Sequence, residues 1–263
     1  MAVDPRTVLD RPAPPPDQTI AYGDHPDQVV DLRWPAAPTE RPYPLVVVIH
    51  GGFWRSEYDR RHTGPLATAL AELGYPVAQL EYRRTGQPGG GWPATGDDVV
   101  AGLTALPGLL ADRADIVAAG PPILLGHSAG GQLALWSAGA GVPVAGVLAL
   151  APVADLVEAH RRDLDDGAVT ALLGGGPDEV PERYAAADPA LTVPPPAPVV
   201  VVHGTADRQV PVEISRHYVA AATTAGGDVT LVELPGCEHF GLIDPLSEAW
   251  PRVTAALRAI HRP

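Results

Sequence analysis

Ser128 sits in Gly126-His127-Ser128-Ala129-Gly130-Gly131, directly after the apolar run Ile123-Leu124-Leu125 and before small residues with helical character from Ala129 to Ala138. Gly-x-Ser-x-Gly between a strand and a helix is the pattern of a nucleophile elbow. A serine that attacks a carbonyl must project from a sharp turn, and glycines two residues to either side remove the Cβ atoms that would clash there. The helix start behind the serine offers free N–H groups to a developing oxyanion.

Three further stretches end apolar runs with suitable chemistry. His50-Gly51-Gly52-Phe53-Trp54 follows Leu45-Val46-Val47-Val48-Ile49. Its backbone N–H groups, from Gly52 or Phe53, would form an oxyanion hole together with that of Ala129. His203-Gly204-Thr205-Ala206-Asp207 offers a carboxylate that could orient an imidazole. Asp155 is the rival acid, but Asp207 has the order Ser, Asp, His along the chain. Gly236-Cys237-Glu238-His239-Phe240-Gly241 supplies His239 as general base and then acid. Glu238 is too close in sequence to face the same ring, and nothing marks Cys237 as a nucleophile.

These residues need a scaffold that brings strand ends together. Apolar runs predict strands at 19–22, 28–33, 45–50, 76–82, 123–125, 146–150, 198–203 and 228–234. Helical spacing predicts helices at 60–73, 94–106, 129–138, 212–225 and 247–261. Strands and helices alternate, so the sheet should be mainly parallel with helices on both faces and the working residues at the strands' carboxyl ends. The 263 residues read as a single α/β domain, with an irregular, Pro-rich arm at 1–17. Residues 35–44 read as a Pro-rich loop, and 154–196 is a possible small cap, broken at Gly174-Gly175-Gly176-Pro177.

Composition removes several classes of function. The net charge is −13, which argues against nucleic acid and anionic membranes as partners. There is no lysine, so a Schiff base, a Ser-Lys dyad and a P-loop are excluded; there is no asparagine, which excludes N-glycosylation. One cysteine cannot form an internal disulfide, and the nine histidines show no metal-binding spacing. No secretion signal or bilayer-length apolar run is evident, so a cytoplasmic enzyme without metal or cofactor is expected, as a monomer or homodimer.

Taken together, the four motifs resemble the α/β-hydrolase superfamily. The nearest branch is the small esterase and kynurenine formamidase-like group, related to the catalytic domain of prolyl oligopeptidases. The resemblance runs from about Gln18 onward. It implies an eight-stranded sheet with one antiparallel strand near the start, and a Ser128, Asp207, His239 triad. Related lipases usually have a third glycine at the position of Phe53 and Asp at that of His127. Formamidases often have Tyr at Phe53.

The expected activity is hydrolysis of a small ester or amide through an acyl-enzyme. An arylformamidase acting on N-formyl aromatic amines is the second reading, and a non-catalytic binding protein on the same fold is the third. Phe53, Phe240, Trp54 and Trp92 would either wall the substrate pocket or anchor their loops. Tyr82 or Arg83 could reach substrate, although Arg83 reads better as a partner of surface carboxylates. Arg55, Arg60 and Arg61 read as a solvated helix start.

Overall fold

The computed structural model describes residues 4–36 and 42–261. The first three residues of the predicted arm and positions 37–41 of the Pro-rich loop lie outside them. Eight strands form one sheet: β1 (Gln18–Ala21), β2 (Val29–Arg33), β3 (Val46–Ile49), β4 (Val77–Leu80), β5 (Ile123–His127), β6 (Gly146–Leu150), β7 (Val199–Gly204) and β8 (Val229–Leu234). Their spatial order is β1-β2-β4-β3-β5-β6-β7-β8. Only β2 runs against the rest, pairing antiparallel with both β1 and β4.

The β-branched runs explain the centre of the sheet. Every residue of β3, β5 and β6 is buried, as parallel strands covered on both faces require. In β3, Val47 and Ile49 join one apolar cluster, and Val46 and Val48 join the other. The first cluster takes Val99 and Leu103 of α2 (Ala94–Leu109), Leu133 of α3 (Ala129–Gly139), and Ile214 and Tyr218 of α7 (Val212–Thr224). The second takes Leu66 and Leu70 of α1 (Gly64–Glu72), and Val253 and Leu257 of α8 (Trp250–Ile260). In register, Ile49 pairs with Gly126, His127 with Leu150, and Gly204 with Leu234. The loops carrying Gly52, Ser128, Asp207 and His239 therefore leave one edge of the sheet.

Several expected boundaries shift for local reasons. The helix expected at 60–73 begins as a 3-10 turn, Arg60–Thr63, and becomes α-helical only at Gly64, where Pro65 fits the first turn. The next helix passes through Pro107 to Leu109, giving up one backbone bond at the proline, and Leu110 N–H closes onto Leu106 O at 3.0 Å. The last helix starts at Trp250 rather than 247, since Asp244 and Ser247 side chains hold turns before it.

Segment 154–196 forms α4 (Leu156–Arg161), α5 (Ala168–Leu173), α6 (Pro181–Ala187) and a 3-10 turn, Pro189–Leu191. Trp136 Nε1–H and a Gln132 amide N–H donate to Ala186 O and Ala187 O, tying it to α3. Its glycine break is pinned: Glu179 accepts from Gly176 N–H at 2.8 Å, and Arg183 donates to Leu173 O at 2.7 Å. The N-terminal arm is not irregular throughout. Pro5–Val8 is a 3-10 turn capped by Asp4, Val8 is fully buried, and Arg11 makes a two-pronged ion pair with Asp244.

Candidate active site

The elbow takes its shape from steric necessity. Ser128 has φ +56° and ψ −121°, a conformation costly for a residue with a side chain. A Cβ on Gly126 would stand 2.2 Å from Gly130 O, and one on Gly130 would stand 2.1 Å from Ile49 O. The turn is pinned to the neighbouring strand by Ser128 N–H donating to Leu150 O at 2.8 Å. Ser128 is 2% exposed and faces a narrow cleft that His239, Phe53 and Phe240 also line.

His239 and Asp207 are brought together. His239 Nδ1 lies 2.6 Å from Asp207 Oδ2. The other carboxylate oxygen accepts from Gln209 N–H at 2.8 Å and Val210 N–H at 2.9 Å. Burial opposes the charge on Asp207, yet hydrogen bonding to His203 and His239 holds its carboxyl well below the usual range. His203 is itself fixed by Ser215 Oγ at 2.7 Å and Val210 O at 2.8 Å. The Ser128 hydroxyl makes no hydrogen bond to protein among the described residues.

Gly52 and Phe53 take left-handed conformations, φ +105° and +47°, which turn the chain sharply after β3. Among the described residues the N–H groups of Phe53 and Ala129 have no protein acceptor, and both flank Ser128 in the chain or in space. Phe53 and Phe240 line the cleft as expected.

Three expected pocket residues do not. Trp54 is fully buried, because its indole N–H finds Gln132 Oε1 at 3.0 Å and draws the ring into the core. Tyr82 is also fully buried; its hydroxyl donates to His50 O at 2.7 Å and its ring stacks on that of His50. Trp92 packs edge-on against Trp136 with centroids 4.8 Å apart and donates its backbone N–H to Leu172 O. Asp155 is a helix cap, accepting from Glu158 N–H at 2.8 Å. Arg60 is not a solvated residue: it bonds Asp31 and reaches Glu81. Burial opposes the charge of Glu81, but His50, Arg84 and Arg60 N–H hold its carboxyl at about 2. Arg83 pairs at 2.6 Å with Asp98, which is buried rather than on the surface. Arg55 bonds Asp165 of the 154–196 segment.

Other cleft residues were not foreseen. Arg6 and Leu9 of the arm close one side, with Arg6 above the Phe240 ring at 5.3 Å. His62 and His127 also line the cleft, each with a buried Nδ1 that has no partner among the described residues. Burial, helped by nearby His50, pushes His62 down to about 3; burial and neighbouring His239 hold His127 well below its ordinary value. His127 lies inside the elbow motif itself, so its position was legible though its role was not. Burial raises the Cys237 thiol to about 11.

Residues 30–221 match the BD-FAE family model. The chain belongs to the BD-FAE family. The match includes Ser128 and Asp207 and ends before His239 and outside the arm. This BD-FAE chain is 25% identical over 254 residues to a probable isoprenylcysteine alpha-carbonyl methylesterase of Oryza sativa subsp. japonica; the alignment covers 87% of the chain and 59% of that relative. The chain thus spans about three fifths of that relative's length. Esterase B of Lactobacillus rhamnosis superposes with TM-score 0.80 at 20% identity, covering 98% of this chain and 89% of that one. A bacterial heroin esterase superposes with TM-score 0.73 at 25% identity, covering 93% and 83%. The BD-FAE chain has the α/β-hydrolase fold. None of its described helices is long and apolar enough to cross a membrane.

Proposed function

We propose that the protein is a carboxylesterase-like serine hydrolase acting on small esters. The observation that carries this reading is the 2.6 Å bond between His239 Nδ1 and Asp207, set beside a serine in an elbow conformation in the same cleft. The esterase relatives point to the same chemistry. Ser128 Oγ attacks the ester carbonyl carbon while its proton passes to His239 Nε2. Asp207, receiving Nδ1–H, fixes the tautomer and stabilises the imidazolium. The oxyanion is held by the N–H groups of Ala129 and Phe53, with Gly52 shaping that turn. The acyl–oxygen bond breaks, and the leaving alcohol takes the proton from His239. Water then attacks the acyl-enzyme, gives its proton to His239, and Ser128 recovers it as the acid leaves.

Ser128→Ala tests the reading. It should abolish labelling by a fluorophosphonate probe and lower kcat on p-nitrophenyl acetate by several powers of ten, leaving only the rate due to oxyanion stabilisation and binding. Persistent labelling would overturn it. Parallel assays on N-formyl anilides separate ester from formamide preference.

A further inference from the structure

The mouth of the site holds two arginines that no carboxylate engages among the described residues. The protein has a net charge of −13 and no lysine, so cations are scarce. Most described arginines are spent on carboxylates or carbonyl oxygens: Arg11 on Asp244, Arg55 on Asp165, Arg83 on Asp98, Arg183 on Leu173 O. Arg6 and Arg208 are exposed, and among the described residues neither guanidinium makes a hydrogen bond or an ion pair.

Both arginines line a cavity of about 450 Å3 that opens beyond His239 and Phe240. It adjoins the small cleft at Ser128, with Arg6, Gln209, His239 and Phe240 lining both. Arg6 is held there without an anion, its guanidinium 5.3 Å above the Phe240 ring and its turn anchored by buried Val8. Two carboxylates, Asp4 and Glu238, line the same cavity, but neither pairs with a guanidinium among the described residues. Asp4 accepts from Arg6 backbone N–H at 2.9 Å, and Glu238 accepts from Phe240 and Gly241 N–H groups at 3.0 and 2.5 Å. Asp165 is engaged by Arg55.

The side on which the cavity opens identifies the substrate part it receives. His239 must protonate the leaving oxygen, so the leaving alcohol lies on the His239 side of the scissile carbonyl. We infer that Arg6 and Arg208 select esters whose leaving alcohol carries a carboxylate, that is, acyl esters of hydroxy acids. The inference rests on the serine-esterase reading above. Planar guanidinium groups with no protein partner suit carboxylate recognition through paired N–H donors.

The test compares kcat/KM on 4-acetoxybenzoate with that on neutral 4-acetoxybenzamide. The wild-type protein should prefer the anion. Arg6→Gln and Arg208→Gln should each lower the anion-to-amide ratio about fivefold, and the double variant about twenty-fivefold, the range of partly exposed charged hydrogen bonds. Raising NaCl from 0.05 to 0.5 M should lower the wild-type ratio severalfold and leave that of the double variant level. Arg258→Gln, an exposed arginine on α8, should not change the ratio. An unaltered ratio in the double variant, with the amide still hydrolysed, overturns the inference alone. Failure of the wild-type protein to hydrolyse either ester overturns the esterase reading and the inference with it.

Discussion

Replacing Asp207 with asparagine should disable the site through a single proton in the wrong place. Asp207 Oδ1 accepts two backbone N–H groups, from Gln209 and Val210, while Oδ2 faces His239 Nδ1 at 2.6 Å. An asparagine keeps its carbonyl oxygen toward the two backbone donors, since turning it would set NH2 against N–H. The amide NH2 then points at His239 Nδ1, which must present a lone pair, so the ring's hydrogen moves to Nε2. That nitrogen can no longer accept the Ser128 proton. The variant also loses the carboxylate beside the imidazolium. At this separation and an effective dielectric near 20, the lost attraction is about 6 kcal/mol as an upper bound. A 10⁴-fold loss corresponds to about 5.4 kcal/mol, so kcat/KM for p-nitrophenyl acetate should fall about 10³- to 10⁴-fold. Thermal unfolding should show a folded protein, because the two backbone bonds survive. Asp155→Ala is the control: it removes the cap of α4 and should cost about 1 kcal/mol of stability without lowering kcat. Retention of more than a tenth of wild-type kcat/KM in Asp207→Asn would refute the proposed orientation of His239.

Two further outcomes are expected. The cavity at Ser128 is only about 40 Å3, room for a very small group, and it is closed by Arg6, Leu9, Phe53 and Phe240. On p-nitrophenyl esters from two to sixteen carbons, kcat/KM should peak at two to four; a maximum at ten or beyond excludes a short pocket. His62 is buried and neutral, held down to about 3, whereas in the unfolded chain it takes up a proton below about 6.5. The unfolded state therefore binds more protons as pH falls through that window, and stability drops by up to about 1.36 kcal/mol per pH unit. Between pH 7 and pH 5, urea unfolding should show wild type losing about 2 kcal/mol more than His62→Gln; parallel losses would mean that His62 takes up its proton at the same pH in the native protein as in the unfolded chain.

Much of the fold was legible because its signals are local. The β-branched run from Leu45 to Ile49 is buried on both faces by its own composition, and the Gly-x-Ser-x-Gly spacing is dictated by the clash that a Cβ on Gly126 would make with Gly130 O, and one on Gly130 with Ile49 O. Asp207 and His239 could be placed because parallel strands deliver their following loops to one edge, whatever lies between them. The helix limits were less legible, since Pro65 and Pro251 open their helices in the first turn while Pro107 is carried inside one.

The pocket was misread where a polar atom on a large side chain found a distant partner. Trp54 and Tyr82 stand in the right loops, but the indole N–H is satisfied by Gln132 and the phenol by His50 O, and each bond carries its ring inward. Nothing near Trp54 in the sequence announces Gln132. The same logic runs in reverse for the arm. Its Pro-rich composition reads as irregular, yet one buried side chain, Val8, and one ion pair, Arg11 to Asp244, fasten it beside the His239 loop. Residues anchored through long-range partners decide what walls the cleft, while locally encoded residues form the proposed triad. Chemistry and specificity are thus written at different ranges in this chain: changes in the arm should alter which ester is accepted without moving Ser128, Asp207 or His239.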